Sequence, residues 1–149
     1  MVYLGAGLAI GLGGVGVAIA QGQLAKTSMD VLGKNPKLAG TLLVYTILGI
    51  ALVESAAIYS LVVAMQIIST EGLSNFAAIG AGLAIGLTSF GAGMGEGKLV
   101  SGALEAINRN PENKGKVLSF MILFVALVEV IAIYGLIIAF QLIGTASAA

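Results

Sequence analysis

Four stretches of this chain are free or almost free of charge: Met1 to Ala25, Leu38 to Thr70, Gly72 to Gly95 and Val117 to Ala149. Each exceeds the roughly 20 apolar residues that carry an α-helix across a bilayer. A soluble alternative fails on size. At 149 residues, 58% hydrophobic and 9% charged, the chain has more apolar surface than one core of that size can hide. No period-two alternation marks the strands of a barrel, so the backbone has to satisfy itself in lipid as helices. The first stretch offers an A-x-A pattern in "AIAQ", as a signal peptide would, but it lacks a basic n-region and recurs almost verbatim later. It reads as the first spanning helix. Helices are expected over about 3–33, 38–70, 74–108 and 112–145, in an all-α membrane protein. With no cysteine there is no disulfide framework, and a net charge of zero without a basic surface excludes nucleic acid as a partner.

The basic residues orient these helices. All seven (Lys26, Lys34, Lys37, Lys98, Arg109, Lys114 and Lys116) fall at or near the connections between helices 1 and 2 and between helices 3 and 4, whereas the central "STEGLSN" has none. The positive-inside rule then places the loops at 34–37 and 109–116 in the cytoplasm and both termini outside.

The chain is one hairpin written twice. "GAGLAIGL" occurs at Gly5 to Leu12 and again at Gly80 to Leu87, and the offset of 75 holds without a gap to the end. Gly22 matches Gly97, Asn35-Pro36 matches Asn110-Pro111, Glu54 matches Glu129, Tyr59 matches Tyr134 and Gln66 matches Gln141. Roughly four in ten aligned positions are identical, which marks an internal duplication. Each unit holds two helices, so the copies, 1–72 and 73–149, enter the membrane in the same orientation as parallel repeats. Helices 1 and 3 carry small residues four apart (Gly7 and Gly11; Gly14, Ala18 and Gly22; Gly82 and Gly86; Gly93 and Gly97), which lets backbones approach closely. Helices 2 and 4 are bulky and suit an outer position, so each hairpin is a wedge, and repeated wedges close into a ring. "GLGGVG" at Gly11 to Gly16 also fits the dinucleotide fingerprint, but no strand precedes it and its copy reads "GLTSFG", so these are packing glycines.

Two carboxylates interrupt the bulky helices, Glu54 and Glu129, and an ionisable group at such depth marks an ion or proton path. Gln21 lies 15 residues before Pro36 and Glu54 lies 18 after it, so in an antiparallel hairpin they reach nearly the same depth. The same count around Pro111 pairs Glu96 with Glu129. Ser55 and Tyr59 share one face of helix 2, about 100 to 140° away from Glu54. One helix therefore cannot aim both sets at one ion. A ring resolves this if each hairpin presents its carboxylate to the hydroxyls of a neighbour.

The polar residue before the loop proline, the loops "GKNP" and "NRNP", and the segment "VESAAIYSLVVA" together resemble the rotor-ring proteolipid of rotary ATPases, the c subunit of F-type ATP synthases or the c/K subunit of V/A-type enzymes. The resemblance covers essentially the whole chain. Its duplicated hairpin is like the V/A-type form, and its loop and Glu-Ser-x-x-x-Tyr segment are like sodium-binding F-type proteolipids. The resemblance implies that Glu54 and Glu129 carry the ion, that Gln21 and Glu96 are the ligands from helices 1 and 3, and that Ser55 supplies a hydroxyl to a neighbour. It further implies the backbone carbonyls of Leu52 and Leu127 as companions, and Tyr59 and Tyr134 as the groups that lock the carboxylates. Lys34, Asn35, Pro36, Arg109, Asn110 and Pro111 would meet the central stalk.

Two positions depart from the pattern. The second copy has Val130 in place of Ser55 and Glu96 in place of Gln21, so a ring would alternate two chemically different sites. The ion is sodium or a proton; Gln21, Ser55, Glu96 and the tyrosines Tyr59 and Tyr134 supply more oxygen than protonation needs, which favours sodium held at Gln21, Glu54, Ser55, Glu96 and Glu129. The implied role is a non-catalytic, ion-translocating subunit without cofactor, in the cell membrane of a bacterium or archaeon. Its implied partners are further copies of itself, membrane lipid, the central stalk, and an a/I-type stator whose arginine separates two half-channels. A carboxylate in both hairpins carries two ions per chain per turn, which favours ATP synthesis over steep pumping. The rival readings are an oligomeric cation channel, a small secondary transporter, or a purely structural membrane oligomer. Transporters commonly use inverted repeats and broken helices, which this chain lacks.

Overall fold

A computed structural model describes residues 1–146; residues 147–149, the end of the second repeat, lie outside the described residues. Four long helices account for nearly all of it: α1 (Val2–Lys34), α2 (Ala39–Ser69), α3 (Asn75–Arg109) and α4 (Lys114–Ala146). All four are long and apolar enough to cross a membrane. At 1.5 Å per residue a helix of 33 residues reaches about 50 Å, well beyond the hydrocarbon core of about 30 Å. The ends that carry the basic residues therefore project from it.

The two hairpin turns share one conformation because they share one chemistry. Proline disfavours the helical region for the residue before it, so α1 stops at Asn35 (φ −140°, ψ 79°) and α3 at Asn110 (φ −145°, ψ 87°). Each asparagine N–H still closes the last helical turn, on Val31 and Ala106 respectively. Each proline then opens a short 3₁₀ turn, Pro36–Leu38 or Pro111–Asn113, that feeds the next helix. The link between hairpins differs. Gly72 takes a left-handed φ of +72°, and Ser74 caps α3 by accepting the Ala77 N–H at 3.2 Å.

The two hairpins pack side by side and parallel, as tandem repeats. α1 and α3 make the most extensive contact, α2 lies against α1 and α3, and α2 and α4 meet over a smaller area. Glycine sets the α1–α3 spacing: a methyl group on Gly82 would overlap the Gly5 carbonyl oxygen, and one on Gly16 would overlap the Phe90 backbone. Helices without a hydrophobic driving force between them associate through this close van der Waals fit. Leu43, Val44, Ile47 and Met65 on α2, with Leu123, Phe124 and Ile138 on α4, stay exposed and form the apolar outer surface that lipid requires.

Candidate ion-binding site

The packing of α2 against the second hairpin brings polar groups together halfway along the helices. Glu129 lies near the middle of α4, and Glu96 lies on the facing stretch of α3. From the first hairpin, the Ser55 hydroxyl lies 2.7 and 2.8 Å from the two Glu129 carboxyl oxygens and 2.6 Å from the Leu52 carbonyl. Tyr59, one turn on, lines the same cleft of about 300 Å³ as Leu52, Ser55 and Glu129.

Two features make this cluster chemically unusual. A hydroxyl has one hydrogen, yet Ser55 stands within hydrogen-bond distance of three acceptor oxygens, so it can satisfy only one of them at a time. Glu96 is 0% exposed, and neither of its carboxyl oxygens has a hydrogen-bond partner, although the group sits beside Glu129. An ionised carboxylate buried without a partner is costly. A proton or a cation among these oxygens relieves both conditions, because either replaces oxygen–oxygen repulsion with attraction.

The remaining candidates sit at the two outer edges. Glu54 is exposed and Gln21 half-buried on the first hairpin, and no hydrogen bond joins them among the described residues. On the second hairpin Leu127 is 61% and Tyr134 58% exposed, with Val130 half-buried between them. These three are the repeat mates of Leu52, Ser55 and Tyr59. A single chain thus holds one assembled cluster and two halves of another, one on each edge. Lys34, Pro36, Arg109, Asn110 and Pro111 are exposed and Asn35 half-buried, all at one end of the bundle. Arg109 pairs with Glu105 at 3.7 Å there, and Lys26 with Asp30 at 2.7 Å. Among the described residues no three His, Cys, Asp or Glu side chains form a metal-binding group.

Sequence reasoning missed one contact across the hairpins. The buried Tyr45 donates its hydroxyl to the Lys114 carbonyl at 2.8 Å, joining α2 to the start of α4. The signal was present in the repeat, because Tyr45 aligns with Phe120, a ring of the same shape without the hydroxyl.

Four helices able to span a membrane, in two parallel hairpins with carboxyl groups clustered at mid-depth, define a multi-pass membrane protein. The pattern of the ATP synthase C subunit family matches this chain twice, over residues 4–67 and 79–142, and the chain belongs to that family. Among its relatives is the ATP synthase c subunit of Protochlamydia amoebophila, 39% identical over 89 residues that make up 60% of this chain and 91% of the relative. The ATP synthase c subunit of Dehalococcoides mccartyi is 54% identical over 65 residues, 44% of this chain and 86% of the relative. That of Chloroflexus aurantiacus is 47% identical over 70 residues, 47% of this chain and 88% of the relative. The last two are nearly covered by less than half of this chain, as a duplicated hairpin requires.

Proposed function

We propose that this chain is the rotor-ring subunit of a rotary ATP synthase, that copies close head to tail into a ring, and that Glu54 and Glu129 carry Na⁺ or H⁺ across the membrane as the ring turns. The observation that carries this reading is the Ser55–Glu129 contact across the hairpin boundary, beside the buried Glu96, while the repeat mates of both partners are displayed on opposite edges. A second copy docked in the same step would bring Val130 and Tyr134 of one chain to Gln21 and Glu54 of the next. Such a heterologous interface, repeated, closes into a ring. The glycines support the same step. Gly82, Gly86 and Gly97 pack against α1, whereas their repeat mates Gly7, Gly11 and Gly22 have nothing within 4 Å of an added methyl group and face outward.

In operation, an ion entering from a stator half-channel neutralises the carboxylate, which then passes the lipid-facing arc of the turn at low cost. Release beside a stator arginine restores the charge. The hydroxyl of Ser55, the Leu52 carbonyl and the paired carboxyls offer sodium several oxygen ligands, which favours Na⁺ as the cargo. The Asn-Pro loops offer a surface to the central stalk, and their basic residues support a cytoplasmic position for that end under the positive-inside rule.

Two measurements on the purified chain test this. Detergent extraction should release a large, heat-resistant assembly of identical chains, whereas a monomer or dimer points to a transporter. Carbodiimide should modify the protonated site carboxyls, and millimolar sodium should slow that reaction; a rate indifferent to sodium at every pH assigns the ring to protons.

A further inference from the structure

We infer that the ring contains two kinds of ion site in strict alternation, and that the site inside each chain holds Na⁺ at least about tenfold more tightly than the site between chains. This rests on the rotor reading and specifies how its sites differ. Across the hairpin boundary Ser55 donates to Glu129 and Tyr45 to the Lys114 carbonyl, and Tyr59 lies beside the same Glu129 carboxyl. The repeat mates of Ser55 and Tyr45, which would face the next chain, are Val130 and Phe120. Both donors are thus absent from the edge that the next chain meets. The seam within a chain carries these two hydrogen bonds, and the seam between chains lacks both donors while keeping the Tyr134 hydroxyl, the repeat mate of Tyr59.

The ligand sets follow from this difference. Within the chain, a cation meets the Ser55 hydroxyl, the Leu52 carbonyl, Glu129, and the fully buried, unpartnered oxygens of Glu96. Between chains, it meets Glu54, Gln21 and the Leu127 carbonyl, with a valine methyl where the hydroxyl would stand. The first set adds a hydroxyl and replaces an amide with a carboxylate, so it holds two carboxylates against one with the same number of neutral oxygens. A contact between a hydroxyl and a charged group is typically worth a factor of about ten or more in affinity, and a second buried carboxylate adds in the same direction for a cation.

The test is site-resolved. The intact ring is treated with a fluorescent carbodiimide over a sodium titration at fixed pH, and modification of Glu54 and of the Glu96/Glu129 pair is followed separately by peptide mass spectrometry. Sodium should protect the Glu96/Glu129 pair at a concentration about tenfold or more below that needed for Glu54. Val130→Ser should move the Glu54 curve toward lower sodium. Ser55→Ala, which introduces no new group at either seam, should move the Glu129 curve toward higher sodium. Coincident curves in the parent ring, or protection of Glu54 first, would overturn the inference while leaving a rotor intact. Protection at neither site in an intact ring also overturns it and leaves a proton-driven rotor. A chain that forms no ring removes the reading on which the inference stands, and the mass of the same preparation reports that separately.

Discussion

Gly7 and Gly82 are repeat mates with opposite surroundings, and replacing each by alanine asks what covers the outer edge of α1. Within the chain, a methyl group on Gly82 overlaps the Gly5 carbonyl, so Gly82→Ala forces α1 and α3 apart. Overpacking of this kind costs about 1–3 kcal/mol. A methyl group on Gly7 meets nothing within 4 Å in the single chain. If that edge faced lipid, Gly7→Ala would stabilise the helix by about 0.5–1 kcal/mol, the ordinary gain of alanine over glycine. In the head-to-tail ring, Gly7 instead meets Gly80 of the neighbouring chain, as Gly82 meets Gly5, and the sign reverses to a loss of about 1–3 kcal/mol at every seam. The assay is thermal dissociation of the purified ring, followed by native mass spectrometry, with circular dichroism of the released chain. Gly7→Ala should lower the temperature at which the ring falls into chains and leave the helicity of each chain unchanged or slightly higher. A ring of that variant that dissociates at or above the parent's temperature would refute the proposed step between copies.

The other predictions concern single contacts. Tyr45→Phe removes the bond to the Lys114 carbonyl and should destabilise the chain by about 0.5–1.5 kcal/mol, read as a lower thermal midpoint; no shift would mean that the contact contributes nothing. Phe120→Tyr adds the missing donor at the outer edge, and the ring should then dissociate at a higher temperature than the parent. Glu54→Gln leaves Glu129 intact, yet every site passes the stator in turn, so sodium- or proton-driven ATP synthesis in proteoliposomes should fall far below half. A residual rate near half would show that the two glutamates work independently.

Much of the architecture is legible in the residues. Spans of this length without charge can only be helices in lipid, the 75-residue offset fixes two like hairpins, and proline after asparagine stops α1 and α3 where it must. Counting from Pro36 and Pro111 places Gln21, Glu54, Glu96 and Glu129 at one depth because helical rise is constant. The faces are harder to read. A helix in lipid is apolar all round, so Ile47, which faces outward, and Val53, which is buried, carry the same hydropathy signal. For that reason the Tyr45 contact, the full burial of Glu96 and the exposure of Glu54 emerge only once the helices are packed. The polar residues carried more information per position than the apolar ones. Ser55 finds its partner on the second hairpin, Glu54 faces an edge, and Glu96 is buried beside Glu129.

The head-to-tail ring is tested most sharply by a density map of the detergent-extracted assembly in sodium, at a resolution that shows side chains. The expected map is a closed ring in which the step from hairpin to hairpin is the same within and between chains, with Glu54 and Gln21 of each chain against Val130 and Tyr134 of its neighbour. A monomer or dimer, or a ring in which Glu54 faces lipid with no neighbouring α4 beside it, would contradict it.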